Sequence, residues 1–559
     1  MKRRFLSTLM ALVLALSLIP TAALAVEDTM PETENELDTL SEESGAETSA
    51  EFEAEVNGVP YATLQEAVAE AQGGDTVTLI NDVTLNPRIG DDQEDADSLV
   101  CLMTVDQDIT LDLNGYTIKW DTSLLEHEEE MPYSPCFFAV VSGGALTLVG
   151  NGTIDAEAEG TTSYCINVNG GTATIEDGNY FGAMTVAQVQ TGILTVLGGT
   201  FALAKTVEVW APDMAKYIIN CIDRNYENGT AVISVRGGTF IGADPADSPE
   251  GEGTSYVADG YVSVQDGNQY TVMPLEDAAV AQIGNDYYLT LAEAISNAQD
   301  GDTIILVDDT VEDNLPYIST TVTLDLNGST LTTNQLVTTG NLTIMDSTAS
   351  AAPTVSSDYK TVSYRSGKIS VTETAVYAAG GGTVTLESGC IDSSYLGAYA
   401  QGDTTGNTSI NSTFNIEGGY IIAQEFAASA QGRGATLNIS GGVLVARDNA
   451  VIGGNGTNTA ERKLGGTTIT ISGGTMIGHI LSNGYIACGI YHPQAGTLKI
   501  TGGTIYVDGG VGIEMRGGTL DMTGGSVIAT GHTSGKVGDS KVALDCYGIQ
   551  IDGNSDYYD

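Results

Sequence analysis

Near its C-terminus the chain reads TGGTIYVDGGVGIEMRGGTLDMTGGSVIAT over residues 501–530, and no other phrase restricts the fold as much. Glycine pairs begin at 502, 509, 517 and 524, in steps of 7, 8 and 7 residues that total 22. Between the pairs apolar residues alternate: Ile505 and Val507, then Val511, Ile513 and Met515, then Leu520 and Met522, then Val527. Period-two alternation buries one face of a short strand, and glycine supplies the corner that turns one strand into the next. Three strands per 22 residues return the chain to its starting side, so the phrase predicts one turn of a three-sided parallel β-helix. Ile505 then lies under Val527 and Thr504 under Ser526, one rung or about 4.8 Å apart.

Looser versions recur throughout. EGGYII, SGGVLV, SGGTMI and TGGTIY place their first glycines at 418, 441, 473 and 502, while GGALTL, GGTATI, GGTFAL and GGTFIG begin at 143, 170, 198 and 237. Spacing above 22 residues is expected to go into corner loops such as 455–464, since an insertion in a solenoid disturbs one corner only. Each half also carries TLDLNG, at 110–115 and 323–328, with Asn-Gly marking a tight turn.

A second repeated phrase has a different character. YATLQEAVAEAQGGDTVTL at 61–79 returns as YLTLAEAISNAQDGDTIIL at 288–306. Leu64, Ala67, Val68 and Ala71, like Leu291, Ala294, Ile295 and Ala298, keep helical spacing. Thr63 with Glu66, and Thr290 with Glu293, have the spacing of a capping box. Each unit therefore reads as a short amphipathic helix, 64–72 or 291–299, running into a buried strand. The first rung of a stack exposes an unpaired end that must be covered, so two lids predict two tandem stacks. The boundaries expected are 56–275 and 276–559, each module with an N-terminal capping helix. The first has an ending at 255–274; no counterpart follows Gly524, so the second is expected to be truncated at Asp559.

Ahead of the modules, Lys2, Arg3 and Arg4, an apolar run over 5–18 and Ala23-Leu24-Ala25 have the form of a secretory signal peptide, residues 1–25, too short in its apolar part to span a membrane. No other stretch reads as a transmembrane segment. Residues 26–55 hold 12 acids and no lysine or arginine, which predicts a self-repelling disordered linker. Removing the leader takes 20 basic residues to 17 against 73 acids, a net charge of −56. Such a charge excludes nucleic acid and anionic membrane as partners. Seven cysteines, none within four residues of another, make no zinc site and no dense disulfide framework. They are expected to sit singly as small buried hydrophobes.

The TLQEAV, GDTVTL, TLDLNG and GGT phrases resemble those of right-handed parallel β-helix surface proteins of Gram-positive anaerobic bacteria, in the broad pectin-lyase-like group. That resemblance covers nearly all of the chain after Glu55, and it implies either polysaccharide lyases and hydrolases or noncatalytic adhesins. For the polygalacturonase pattern the nearest matches are Gly-His-Thr at 531–533 and Glu-Arg-Lys at 461–463, without the following glycine, the Arg-x-Lys spacing or the right order. None of the eight arginines after the leader lies in a recognisable lyase motif. His127, His479, His492 and His532 are scattered and read as surface or corner residues.

No catalytic residue is therefore assigned. The metal candidates are Asp91, Asp92, Glu94, Asp95 and Asp97, an acidic run absent from the second module, with calcium as the cofactor it suggests and a solvated loop as the alternative. The ligand-binding candidates are Trp120 and Trp210, as sugar-stacking platforms or as corner residues packed on their neighbours. The function expected is a secreted or cell-surface noncatalytic protein of the adhesion or glycan-binding type, with a polysaccharide or another surface protein as partner. The alternatives are a polysaccharide lyase or glycoside hydrolase, and a structural spacer or stalk.

Overall fold

A computed structural model describes residues 52–86, 101–121, 135–157, 163–203, 217–248, 254–403, 410–454, 466–479, 487–493, 496–537 and 540–551. The signal peptide and residues 26–51 of the linker lie outside the described residues.

The chain is all-β, with long parallel sheets stacked as in a β-solenoid. Between residues 321 and 551, apart from the separate strand pairs Thr354–Val355 with Val362–Ser363 and His532–Val537 with Ser540–Asp545, it visits three sheets in rotation. Thr383–Leu386, Cys390–Ser393 and Ala398–Gln401 make one round, and Thr413–Ile416, Tyr420–Ala423 and Ala428–Gln431 make the next. Each strand pairs in parallel with its counterpart one round on: Thr383 with Thr413, Cys390 with Tyr420, Ala398 with Ala428. We call the three sheets the first, second and third face; they hold 11, 9 and 8 strands. The register foreseen at the C-terminal end is observed, with Thr504 beside Ser526 and Ile505 beside Val527.

Residues 54–274 use two hydrogen-bonded sheets instead, of 11 and 8 strands. Tyr164–Ile175 and Thr185–Val196 run unbroken around a corner, each pairing with its neighbours in two separate stretches, and so join what would be two faces into one sheet.

The glycine pairs do two different things at the corners. A Cβ on Gly473 would collide with the carbonyl of Ser440 one rung earlier, so the first position admits no side chain. Gly474 has φ +79°, the left-handed region where glycine is favoured. Inside, like residues stack. Leu386, Ile416, Ile439, Ile471 and Ile500 form one inward column, all at most 1% exposed. In the first half Tyr180, Phe201 and Phe240 stack face to face along another, with ring centroids 5.2 and 4.9 Å apart.

The two repeated helices are present as Leu64–Glu70 and Leu291–Asn297, with Leu64, Ala67, Val68 and Leu291, Ala294, Ile295 buried. Thr63 and Thr290 accept from the backbone N–H of Glu66 and Glu293, at 3.2 and 3.1 Å. The carboxylates that take other first-turn donors come from outside the helix: Glu53 from Leu64 at 2.9 Å, and Glu312 from Leu291 and Ala292 at 2.5 and 2.9 Å. Ahead of each helix stands a hairpin that the sequence reading did not foresee. Ala54–Val56 pairs antiparallel with both Val59–Tyr61 and Asp75–Leu79, and Ala281–Ile283 pairs antiparallel with both Asp286–Tyr288 and Thr303–Leu306. The other helices among the described residues are short, Asp223–Glu227 and Leu275–Ala278.

Two expectations are corrected here. Cys101 and Cys136 are not single buried hydrophobes: they face each other on paired strands and form a disulfide, with Cα atoms 4.6 Å apart. Their separation of 35 residues hides a proximity that the parallel register creates. Nor is burial confined everywhere to one strand face, as alternation predicts. On the second face Val443, Val445, Ile477 and Tyr506 point outward yet are at most 8% exposed. A strap built from the 22-residue link 346–367 covers them, with Val355, Tyr359 and Val362 packed on that face. The Tyr359 ring stacks on Tyr506 with centroids 4.3 Å apart and an interplanar angle of 12°. At its root Asp346, 4% exposed, accepts the backbone N–H groups of Gly328 (3.1 Å), Thr348 (2.8 Å) and Gly367.

Candidate functional site: the outer columns of the first and third faces

Because every rung repeats the register of the last, an outward residue type that recurs once per turn becomes a continuous column. On the first face Thr323, Thr343, Thr385, Asn415, Asn438 and Thr470 follow one another directly. Two residues earlier on the same strands run Thr321, Asn341, Thr383, Thr413, Thr436, Thr468, Thr497 and Thr519. All of these are half-buried or exposed. The amides tie neighbouring rungs together: Asn341 Nδ2 donates to Thr321 Oγ1 at 3.1 Å, Asn415 Nδ2 to Thr385 Oγ1 at 3.2 Å, and Asn438 Nδ2 to Asn415 Oδ1 at 2.9 Å. The result is a flat double ladder of hydroxyls, methyls and amides, without a charge until Lys499 and Asp521.

The third face carries aromatics in the equivalent place. Ile318 bridges Thr338, which sets Tyr317 beside Val337; Val337 pairs with Tyr377 and Tyr377 with Tyr399. The Tyr377 and Tyr399 rings meet edge to face, centroids 4.9 Å apart at 69°. Tyr399 is 7% exposed and its hydroxyl donates to Gln431 Oε1 at 3.2 Å. Burial pushes the Tyr377 phenol up, a hydrogen bond with Thr374 opposes this, and the nearby phenols of Tyr395 and Tyr317 add to the rise. Tyr395 comes from the corner between the second and third faces, and Phe426 from the same corner one rung on. The Phe426 ring lies over Gly453, where any Cβ would strike it. None of these aromatics was singled out in the sequence. The signal was present in the related phrases AYAQG at 398–402 and ASAQG at 428–432, with Tyr399 and Ser429 at the outward position.

The residues that were singled out sit elsewhere. Trp120 ends the strand Thr117–Trp120, is 3% exposed, and stacks on Phe137 with centroids 4.0 Å apart. A sugar platform needs an open ring face, and this ring has both faces in the core. Trp210 and the candidate calcium residues Asp91, Asp92, Glu94, Asp95 and Asp97 lie outside the described residues, as does His127. Among the described residues no three His, Cys, Asp or Glu side chains converge as a metal site. His492 is buried, its Nδ1 lies 3.0 Å from the Gly517 carbonyl, and burial lowers its pKa. Cys165 and Cys488 are buried, which pushes their thiols up. Burial first and Asp392 second push Cys390 to about 12, so it is a poor nucleophile near neutrality.

Compared with protein-family models, with curated proteins and with solved structures, the chain matches none.

Proposed function

We propose that this chain is an exported, noncatalytic surface protein that binds glycan polymers along the outer columns of a right-handed parallel β-helix of pectin-lyase-like type. In this reading the signal peptide 1–25 and the acidic linker precede two tandem stacks, 56–275 and 276–559. Helices Leu64–Glu70 and Leu291–Asn297 close the N-terminal ends of those stacks.

The single observation that carries the reading is the double Thr/Asn ladder. Its hydroxyls and amides repeat once per rung, about every 4.8 Å. A small molecule uses one rung of such a lattice, whereas a polymer of hydroxylated units can use many at once. Multiplying weak contacts along one chain raises affinity without any deep pocket. The net charge of −56 after removal of the leader selects among polymers. Neutral glycans should bind with little salt dependence, and acidic ones only through divalent cations such as calcium.

The test is binding of the purified protein to neutral and acidic glycans, with calcium and with chelator, beside assays for new reducing ends and unsaturated products. The expected result is binding without product. Product release that disappears on substituting a single Arg or Asp would establish the lyase or hydrolase instead, and no binding to either class would leave the stalk.

A further inference from the structure

We propose that the exposed tyrosines of the third face, Tyr317 and Tyr395, set beside a packed base of Tyr377, Tyr399 and Phe426, form a stacking subsite for the pyranose rings of a neutral polysaccharide. This assignment rests on the glycan-binding reading above and gives it a location and a ligand class.

Tyr317 is 63% exposed and Tyr395 48% exposed, and both lie near Tyr377, whose ring packs on the buried Tyr399. Exposed aromatics of this size beside a packed aromatic base form a surface with rigid rings and little side-chain entropy to lose on binding. Tyr395 belongs to the rung of Tyr399, so Tyr317 and Tyr395 lie three rung steps apart, about 14 Å, enough for a short run of sugar rings.

Chemistry separates a sugar from other occupants. An apolar partner would meet the hydroxyls of Tyr317 and Tyr395 and leave them without water. A pyranose offers C–H faces to the rings and hydroxyls to those same phenols, to Thr374 and to Gln431, which already bonds Tyr399. An anionic ligand would approach against the acidic charge of the whole chain, with the exposed Glu373 at the adjacent corner. A neutral, hydroxyl-rich ring system is the class that satisfies all three conditions.

The test is affinity electrophoresis of the full chain in gels containing xylan, mixed-linkage β-glucan, galactomannan or starch. Wild type is compared with the Tyr317→Ala/Tyr395→Ala pair and with an Asn415→Ala/Asn438→Ala ladder pair. Both tyrosines are exposed and outside the inner columns, so the first pair should leave the circular dichroism spectrum unchanged. We expect retardation of wild type by at least one neutral polysaccharide, weakened about tenfold or more in the tyrosine pair. A tyrosine difference spectrum should appear on saturation with that glycan. Wild-type retention that the tyrosine pair keeps in full overturns this inference while leaving the glycan-binding reading intact. Retention in no gel overturns both. Concentration-dependent self-association in sedimentation, abolished by the tyrosine pair without any retention, would make the column a protein-docking surface and overturn the inference as well.

Discussion

One carboxylate placed at two adjacent positions tells the inside of the stack from its outside. Ile439 is 1% exposed and lies between Ile416 and Ile471. Asn438 points the other way, half-buried, between Asn415 and Thr470. In Ile439→Asp the loss begins with the isoleucine, about 2–3 kcal/mol of apolar burial. The new carboxyl finds no donor on its isoleucine neighbours, and entering as the neutral acid costs about 1–3 kcal/mol more. Burial raises its pKa, so the unfolded chain ionises first. The penalty is therefore smallest below about pH 4 and grows by about 1.4 kcal/mol per pH unit until the folded pKa is reached. Ile439→Ala makes a cavity at the same place without the charge. Between pH 5 and pH 7 the gap between the two variants should widen by about 2.7 kcal/mol. Asn438→Asp removes only the bond to Asn415 and should cost about 1 kcal/mol. Urea unfolding followed by circular dichroism at both pH values measures all three, with unchanged m as the condition for comparing midpoints. A gap that does not move with pH, or equal costs at 438 and 439, would refute the inward and outward assignment.

Two further outcomes follow from named residues. Alkylation of the denatured, unreduced protein should find five thiols of the seven cysteines, and seven would refute the Cys101–Cys136 bond; Cys101→Ser/Cys136→Ser should lose about 3 kcal/mol in the same unfolding assay. Burial pushes the Tyr420 phenol up to about 12, so the folded state holds a proton that the unfolded chain releases near pH 10. Stability should fall as pH rises through that window, and less steeply in Tyr420→Phe; identical slopes would mean that the phenol is solvated.

What could be read from the sequence follows from how local each signal is. The register of Ile505 on Val527 was legible because the glycine pairs fix the turn at 22 residues and alternation fixes the face. The helices were legible because Thr63 and Thr290 cap them within three residues. The hairpin before the first helix was not read, although its signal is local: Asn57 and Gly58 both take positive φ, 49° and 84°, as an Asn-Gly turn allows. Contacts made by register across long links left no local trace, as with Cys101 and Cys136, or Tyr317, which the Ile318–Thr338 bridge brings beside Val337. Taking alternation to bury just one face of each strand concealed the second face. Val443–Ala446 reads Val-Leu-Val-Ala with all four buried, and an unbroken apolar run indicates a strand covered on both sides. Of the two readings of Trp120, sugar platform or residue packed on its neighbours, the burial of its ring at a strand end agrees with the packed one.

The strap over the second face changes the energetics of the stack as well as its surface. In a solenoid each rung touches only its neighbours, so the terminal rungs can open at the cost of one interface. Tyr359 breaks that locality. It belongs to the link between Asn341–Met345 and Lys368–Val371, yet it stacks on Tyr506, in the strand Thr504–Asp508 five rung steps from Lys368–Val371, about 24 Å away. The corresponding link in the next rung, 387–389, has three residues against 22 here. Closing the longer loop costs about 1.8 kcal/mol more. Keeping Val445 and Ile477 out of water is worth about 3–6 kcal/mol, so the strap stays closed. Replacing 346–367 by Glu-Ser-Gly should preserve the strand content, expose the apolar face to a hydrophobic dye, and speed amide exchange in Thr475–Gly478 and Thr504–Asp508 more than in Cys390–Ser393. Because the replacement also removes the buried Asp346, Val355→Ser/Tyr359→Ala provides a milder version in which that root is untouched. Exchange that is unchanged in both variants, with no dye bound, would show that the strap only rests on the face and does not couple the rungs beneath it.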